Sequence, residues 1–435
     1  MTNSHQKLLL RRWAFELLRQ KRYDEAAVIA EVICDKTPHL AILDFAEQIL
    51  GTDYRLQGVE FLNFILGANT TLARVNRFEI YQLMARLLAA QGDTELAVKY
   101  MYKALKQLPN RKQYKKIRHA VQYQLGSLLS ANGDLEKAQK LFDKGIPVTC
   151  GNGWITSSKV VNFNTIKAQL KLPSIQSKML YNGYTKDTKP KLVYLVSADI
   201  LYSRKFVPSL LKTMESLNQK DIHIHLHGIS VNETTLNKQA WLVLKQSIEH
   251  LNISFSMTWS SVTSSILKTE ISKKSIYSFE RFRILPRILK LYEVPVIVAD
   301  IDQIPLRSPI ALVDNDFDIA LLRFPEANLN ILSLISATLS IFKPTKEGLL
   351  AAKMLKKYFE NALTDRAALT WHIDQAGLAV LDYTNQKAKI YYLDTSLVIT
   401  NPKQYTLEEA CKSGAFFWSV TNSLNSEIDH LNILS

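Results

Sequence analysis

From Leu8 to about Gly145 apolar residues recur at i, i+3 and i+4, the spacing of one face of a helix, and small residues return at regular intervals among them. The pattern predicts a succession of helical hairpins. In one unit Tyr81, Met84, Ala85, Leu88, Gly92, Ala97, Met101, Ala104 and Pro109 hold the recurring places. Trp13, Ala14, Leu17, Ala26, Ala30 and Pro38 repeat the template upstream; Leu125, Gly126, Leu129, Gly133, Ala138, Phe142 and Gly145 repeat it downstream. Small residues let paired helices approach closely, and Gly92-Asp93 and Gly133-Asp134 supply the turns between them. Leu40 to Ala68 reads as a degenerate fourth hairpin, and the Trp and Tyr side chains of these helices as core.

After Pro147 the pattern loosens. Gly151-Asn152-Gly153, Pro173-Ser174, Asn182-Gly183 and Lys186 to Pro190 punctuate a polar stretch, so residues 148–190 are expected to be a linker or connecting arm after a helical domain at 1–147. From Lys191 strand and helix alternate: Leu192 to Ala198, Asp221 to Ile229, Ile253 to Trp259, Val294 to Ala299 and Phe317 to Arg323 read as strands. Helices are expected at Phe206 to Leu217, Glu233 to Glu249 and Tyr277 to Leu291. Such alternation implies a Rossmann-like, mostly parallel sheet covered on both faces, with sites at the C-terminal edge of its strands. This α/β domain is expected over 191–405, followed by a C-terminal tail, 406–435.

Composition narrows the class. The chain has 435 residues, 47% of them hydrophobic, which is globular rather than disordered. The first residues carry only three consecutive leucines before two arginines, short of a secretion signal, and no apolar run approaches the ~18 residues of a membrane span. A cytoplasmic protein without a transmembrane segment is the expectation. Cys34, Cys150 and Cys411 are too scattered for a disulfide framework or a zinc site. The net charge of +14 is spread along the chain, densest at Arg111 to Arg118, where it reads as a solvated helix face; no nucleic-acid partner is expected.

The candidate chemistry lies between Tyr277 and Leu306. A helix bearing Arg281 and Arg283 leads into the apolar run ending at Ala299, and Asp300-Ile301-Asp302 follows. Carboxylates delivered to the end of a buried strand are costly unless a positive group meets them, and two flanking one residue can share one divalent cation beside a phosphate ligand. The pattern recurs at Asp314, Asp316 and Asp318, but in a polar stretch that reads as a surface turn. His223, His225 and His227 alternate along one strand, too far apart for a single ion at ~6–7 Å, and read as a polar sheet-edge face.

The helical positions fall where tetratricopeptide repeats carry their signature. Downstream, Leu192 to Asp199, the Arg281/Arg283 helix, Val298-Ala-Asp300-Ile-Asp302 and Trp371-His-Ile-Asp374-Gln375-Ala-Gly-Leu378 stand in an order that resembles GT-A glycosyltransferases of the glycogenin-like and lipopolysaccharide galactosyltransferase-like group, over about Lys191 to Pro402. The resemblance implies that Asp300 and Asp302 bind a metal, Mn2+ or Mg2+, against the donor diphosphate. Arg283 and Arg281 would contact the donor, and Ser197, Ala198 and Asp199 would line its nucleotide pocket. Asp374 and Gln375 would stand near the reacting sugar carbon, although Asp374 in this setting also reads as a helix cap. The implied function is transfer of a sugar from a nucleotide-sugar donor, a UDP-sugar by expectation, to a protein, peptide or envelope-saccharide acceptor, with the helical repeats binding acceptor or partner. The group's C-terminal His-x-x-Gly-x-x-Lys ligand setting is absent from Lys412 to Ser419, and His430 is the only histidine nearby. Two other readings stand beside this one. A non-catalytic repeat scaffold would carry a degenerate transferase domain; a nucleotidyltransferase would want a glycine-rich loop after the first strand, and Ser197 to Lys205 contains no glycine.

Overall fold

A computed structural model describes residues 3–34, 37–68, 72–149, 155–165, 177–184, 189–232, 234–262, 270–324, 328–364, 369–370, 372–399 and 407–419. Cys150, Gly151 to Gly153, Pro173-Ser174, Lys186 to Thr188, Trp371 and His430 lie outside them. The chain divides into two compact units, Met1–Val148 with Pro325–Leu334, and Thr149–Phe324 with Ile335–Ser435. No helix among the described residues is long and apolar enough to cross a membrane.

The first unit is a tetratricopeptide-repeat-like stack of α1 (Asn3–Arg19), α2 (Tyr23–Cys34), α3 (Pro38–Ile49), α4 (Arg55–Ala68), α5 (Arg74–Gln91), α6 (Thr94–Gln107), α7 (Lys115–Ala131) and α8 (Leu135–Phe142). Its turns follow the sequence chemistry. Gly92 and Gly133 adopt φ values of 91° and 81°, which favour glycine, and the next residues, Asp93 and Asp134, cap α6 and α8 by accepting from the backbone N–H of Leu96 and Lys137. At Gly126 a Cβ would stand 2.8 Å from the Phe142 ring, so α7 and α8 meet where only glycine fits. The aromatic positions are not uniformly core: Trp13 is 52% exposed and Tyr102 is 40% exposed.

Residues 328–334 belong to this unit although they fall between two strands of the other. Asn328 donates to the Ala89 carbonyl, Tyr123 donates its hydroxyl to Asn330 at 2.7 Å, and the Ile331 N–H donates to Ser127 Oγ. Ile331, Leu332 and Leu334 are buried there.

The second unit contains a mixed sheet. In chain order the strands are β1 (Pro147–Thr149), β2 (Ile155–Ser157), β3 (Ser177–Asn182), β4 (Leu192–Asp199), β5 (Ile222–Val231), β6 (Phe255–Val262), β7 (Val296–Ala299), β8 (Gln303–Pro305), β9 (Ile319–Arg323), β10 (Ile335–Phe342), β11 (Ile390–Leu393), β12 (Val398–Ile399) and β13 (Phe417–Ser419). The helices are α9 (Ile200–Ser216), α10 (Thr235–Ile248), α11 (Glu270–Tyr292), the repeat-unit turn α12 (Ile331–Leu334), α13 (Lys346–Thr364), α14 (Ile373–Thr384) and α15 (Leu407–Lys412). Eight strands run in the order β11-β9-β10-β7-β4-β5-β6-β3. The βα alternation makes the β4/β5, β4/β7, β5/β6 and β11/β9 pairs parallel, while β10 enters antiparallel between β7 and β9, and β3 closes one edge antiparallel to β6.

Two consequences bear on the site. The β10 register against β9 jumps between Ser336 and Ser340, so residues 337–339 bulge beside the end of β7. Second, β5 runs inside the sheet between β4 and β6, and His223, His225 and His227 are 1%, 0% and 1% exposed. The sheet-edge expectation for them is corrected: α11 covers the face on which they lie.

Candidate active site

Arg281, on the 23-residue α11, is only 2% exposed, and burying a guanidinium costs several kcal/mol unless it is fully met. Its two terminal nitrogens are met from three elements, while its Nε has no partner among the described residues. Its Nη1 donates to Asp300 Oδ1 at the end of β7. Its Nη2 donates to the Ala337 carbonyl in the β10 bulge at 2.9 Å and to Asp374 Oδ2 at the start of α14 at 3.3 Å. Burial works against the charge of Arg281, and the Asp300 and Asp374 carboxylates more than restore it, holding the group above its ordinary value. The bulge also fixes Asp300, whose N–H donates to the Thr338 carbonyl at 3.1 Å.

Asp374 is held by local geometry. His372, the residue before α14, adopts φ 66°, a left-handed conformation that a non-glycine residue keeps only where its surroundings impose it. Its Nδ1–H donates to Gln375 Oε1 at 2.8 Å, and the Gln375 N–H donates to Asp374 Oδ1 at 2.9 Å. The cap position therefore falls to His372, and the Asp374 carboxylate is turned to Arg281. Farther along α14, a Cβ on Gly377 would lie 2.8 Å from the Phe359 ring of α13, so the helix is seated against its neighbour at that glycine. Burial pushes Asp374 above the usual carboxylate range, with Asp300 adding to the effect and Arg281 opposing it.

Asp302 follows in the turn between β7 and β8 and is half-buried. Burial and the like charge of Asp300 push it up to about 7, against the pull of Arg281 and of Lys205 on α9. Next to it, Gln303 is fully buried, and neither atom of its side-chain amide has a partner among the described residues. Its backbone carbonyl accepts from the Tyr194 hydroxyl at 3.2 Å.

On the adjacent β4, Ser197 stands two residues beyond the Leu195–Val298 pair, as Asp300 does on β7. Ser197 and Ala198 are buried, while Asp199 caps α9 by accepting from the Tyr202 N–H at 2.8 Å. Arg283 does not reach Asp300. It donates through Nε to Glu280 at 2.7 Å and through Nη2 to Ser260 at 3.3 Å. Asp314 and Asp316 are exposed.

Four charged groups from three elements thus gather: Arg281, Asp300, Asp302 and Asp374. Sequence reasoning missed Lys205, Gln303 and the carbonyls of Ala337 and Thr338. Lys205 carries a faint signal, a basic residue six positions past the end of the first strand, whereas backbone carbonyls in a bulge leave none. Among the described residues no three His, Cys, Asp or Glu side chains are placed so that together they could hold a metal ion. The chain can therefore offer a divalent cation Asp300 and Asp302, and their chemistry fits one: two hard oxygen donors whose mutual repulsion a cation relieves.

A tetratricopeptide repeat family model matches residues 78–110 and 119–146. No curated protein matches the chain by sequence. Among solved structures, similarity extends to the galactosyltransferase LgtC in complex with donor and acceptor sugar analogues, at 12% identity and TM-score 0.36, over 56% of this chain and 94% of that one. The glycosyltransferase GlyE of Streptococcus pneumoniae is similar at 13% identity and TM-score 0.37, over 57% and 61%. Mouse xyloside xylosyltransferase 1 is similar at 10% identity and TM-score 0.31, over 54% and 98%. The chain joins a region that matches tetratricopeptide repeats to an α/β unit built on a mixed sheet.

Proposed function

We propose that the α/β unit is a glycosyltransferase of GT-A type that takes its sugar from a nucleotide-sugar donor, a UDP-sugar by expectation. The observation that carries this reading is the convergence of Asp300 and Asp374 on one buried guanidinium, Arg281, beside Asp302. Asp300 and Asp302 would hold Mn2+ or Mg2+, which when bound supplies positive charge to the departing diphosphate. Arg281 is the donor-side guanidinium and fixes the distance between the two carboxylates. Asp374, whose carboxyl burial pushes upward against the pull of Arg281, would face the sugar carbon as positive charge develops there. It either stabilises that charge or attacks it, with the Gln375 amide as the other candidate. Ser197, Ala198 and Asp199 border the nucleotide from β4. The repeats would bind the acceptor or a partner, protein, peptide or envelope saccharide, in the cytoplasm.

The rival reading, a repeat scaffold with a silent transferase domain, draws on the direct ion pair between Arg281 and Asp300, which already satisfies one of the two carboxylates. The two are separated by UDP release from a panel of UDP-sugars by the full chain with Mn2+. The transferase reading expects turnover with at least one donor, falling about 100-fold in Asp374→Asn. Absence of turnover with every donor, together with no UDP binding, supports the scaffold.

A further inference from the structure

The buried face of β5 carries a second polar system that the proposed reaction does not use. Starting below α11, Ser254 Oγ lies 2.7 Å from His223 Nδ1, and His223 Nε2 lies 3.1 Å from the Tyr292 hydroxyl and 2.9 Å from Ser256 Oγ. Tyr292 lies 2.9 Å from His225 Nδ1, and His225 Nε2 lies 2.8 Å from Thr258 Oγ1. Thr258 lies 2.7 Å from His227 Nδ1, and His227 Nε2 lies 3.2 Å from Glu280 Oε1. Glu280 is fully buried and paired with Arg283. The row therefore runs unbroken from β5 and β6 to two residues of α11, Tyr292 and Glu280.

The far end sets the direction of every bond. Burial disfavours the charge on Glu280, but Arg283 outweighs it and holds the carboxylate at about 2. An ionised carboxylate only accepts, so His227 must present Nε2–H to it. Neutral His227 then accepts at Nδ1 from the Thr258 hydroxyl, and the Thr258 oxygen accepts from His225 Nε2–H. His225 Nδ1 accepts in turn from the Tyr292 hydroxyl, the Tyr292 oxygen accepts from His223 Nε2–H, and His223 Nδ1 accepts from Ser254. Ser256 fits the same polarity: it accepts from His223 and from the Gly183 N–H, and donates to Asn182. Burial keeps all three rings neutral, with His223 lowered to about 4.

We propose that this row is a one-way hydrogen-bonded lock that fixes α11 on the sheet at Glu280 and Tyr292 and so positions Arg281 for Asp300 and Asp374. Arg281 is the residue next to Glu280, and on its other side Phe282 stacks with Phe359 of α13 at 5.9 Å between ring centres. A small rotation of α11 that relaxed the Glu280 end would carry the guanidinium off both carboxylates. His227, Thr258, Glu280 and Arg283 are thus positioning residues. The inference that they matter for turnover rests on the transferase reading; the polarity of the row does not.

The test uses Thr258, whose hydroxyl joins His225 to His227 in the row. Thr258→Val keeps the side-chain volume but leaves His225 Nε2–H without its acceptor and His227 Nδ1 without its donor. Thr258→Ser keeps the hydroxyl. With 15N-labelled histidine in the full chain, the wild type should show three buried rings in the neutral Nε2–H form at pH 6. Finding any of His223, His225 or His227 protonated or in the Nδ1–H form overturns the lock, whatever the enzyme does. With UDP-sugar and Mn2+, Thr258→Val should lower kcat about tenfold or more while Thr258→Ser stays within about twofold of wild type. Equal kcat for Val and wild type refutes positioning while leaving the transferase reading intact. Should the wild type prove inactive, the same arms are read by calorimetry with Mn2+ and UDP, where wild-type affinity in Thr258→Val refutes positioning; absence of binding in the wild type refutes the transferase reading and positioning together, leaving only the polarity of the row.

Discussion

Arg281 Nη2 and Asp374 Oδ2 stand 3.3 Å apart across 93 residues of sequence, inside a unit where the same guanidinium also holds Asp300. Replacing Arg281 with Met leaves two carboxylates facing each other without a cation. Unfolding in urea should show a loss of about 3–5 kcal/mol. Adding Asp374→Asn to that variant removes one of the stranded charges, so the double variant should be less destabilised than the sum of the singles. Additivity within about 0.5 kcal/mol would mean that the two side chains do not interact.

The buried histidines make stability depend on pH with a definite sign. An unfolded histidine binds a proton below about 6.5, whereas burial denies one to His225 and His227 and lowers His223 to about 4. Around them stand Glu280, Arg283, Arg287 and Tyr292 of α11, Ser256, Thr258 and Ser260 of β6, and Tyr184. As pH falls from about 6.5 toward 4 the unfolded state takes up protons that the folded state refuses, and stability drops by up to about 1.4 kcal/mol per pH unit for each such ring. Glu280, held at about 2, adds a further loss only below its ordinary value of 4.5. Urea unfolding at pH 7, 6 and 5 checks this, and His223→Asn should flatten the slope by roughly a third. A flat profile contradicts neutral burial.

Two glycines separate stability from function. A Cβ at Gly377 would lie 2.8 Å from Phe359, and one at Gly126 would lie 2.8 Å from Phe142. Both Gly→Ala changes should destabilise by about 1–3 kcal/mol. Only Gly377→Ala moves α14 and with it Asp374, so UDP-sugar turnover should fall in that variant and hold in Gly126→Ala when both are assayed well below their melting temperatures. An equal fall in both would assign the effect to lost fold.

Much of this was legible in the chain. The repeat turns could be read because Gly92-Asp93 and Gly133-Asp134 state their conformation in residue type, and β4 and β7 because buried central strands are continuous apolar runs. Asp300 stood out because it ends such a run. The β10 strand leaves no such signal, since it enters antiparallel after ten residues given to the other unit and breaks the βα alternation. Arg281 and Arg283 are both arginines on one helix, and nothing in their spacing tells which turns to Asp300 and which to Glu280; three-dimensional packing decides that. The alternation of His223, His225 and His227 marks one face of a strand without saying whether solvent or a helix lies over it.

The central claim is that Asp300 and Asp302 form a cation-assisted donor site, and calorimetry of UDP binding with and without Mn2+ tests it most directly. Wild-type protein should bind UDP more tightly by about tenfold or more when Mn2+ is present, and Asp300→Ala and Asp302→Ala should each abolish that gain. UDP binding that ignores Mn2+, or a Mn2+ gain that survives both substitutions, contradicts the account.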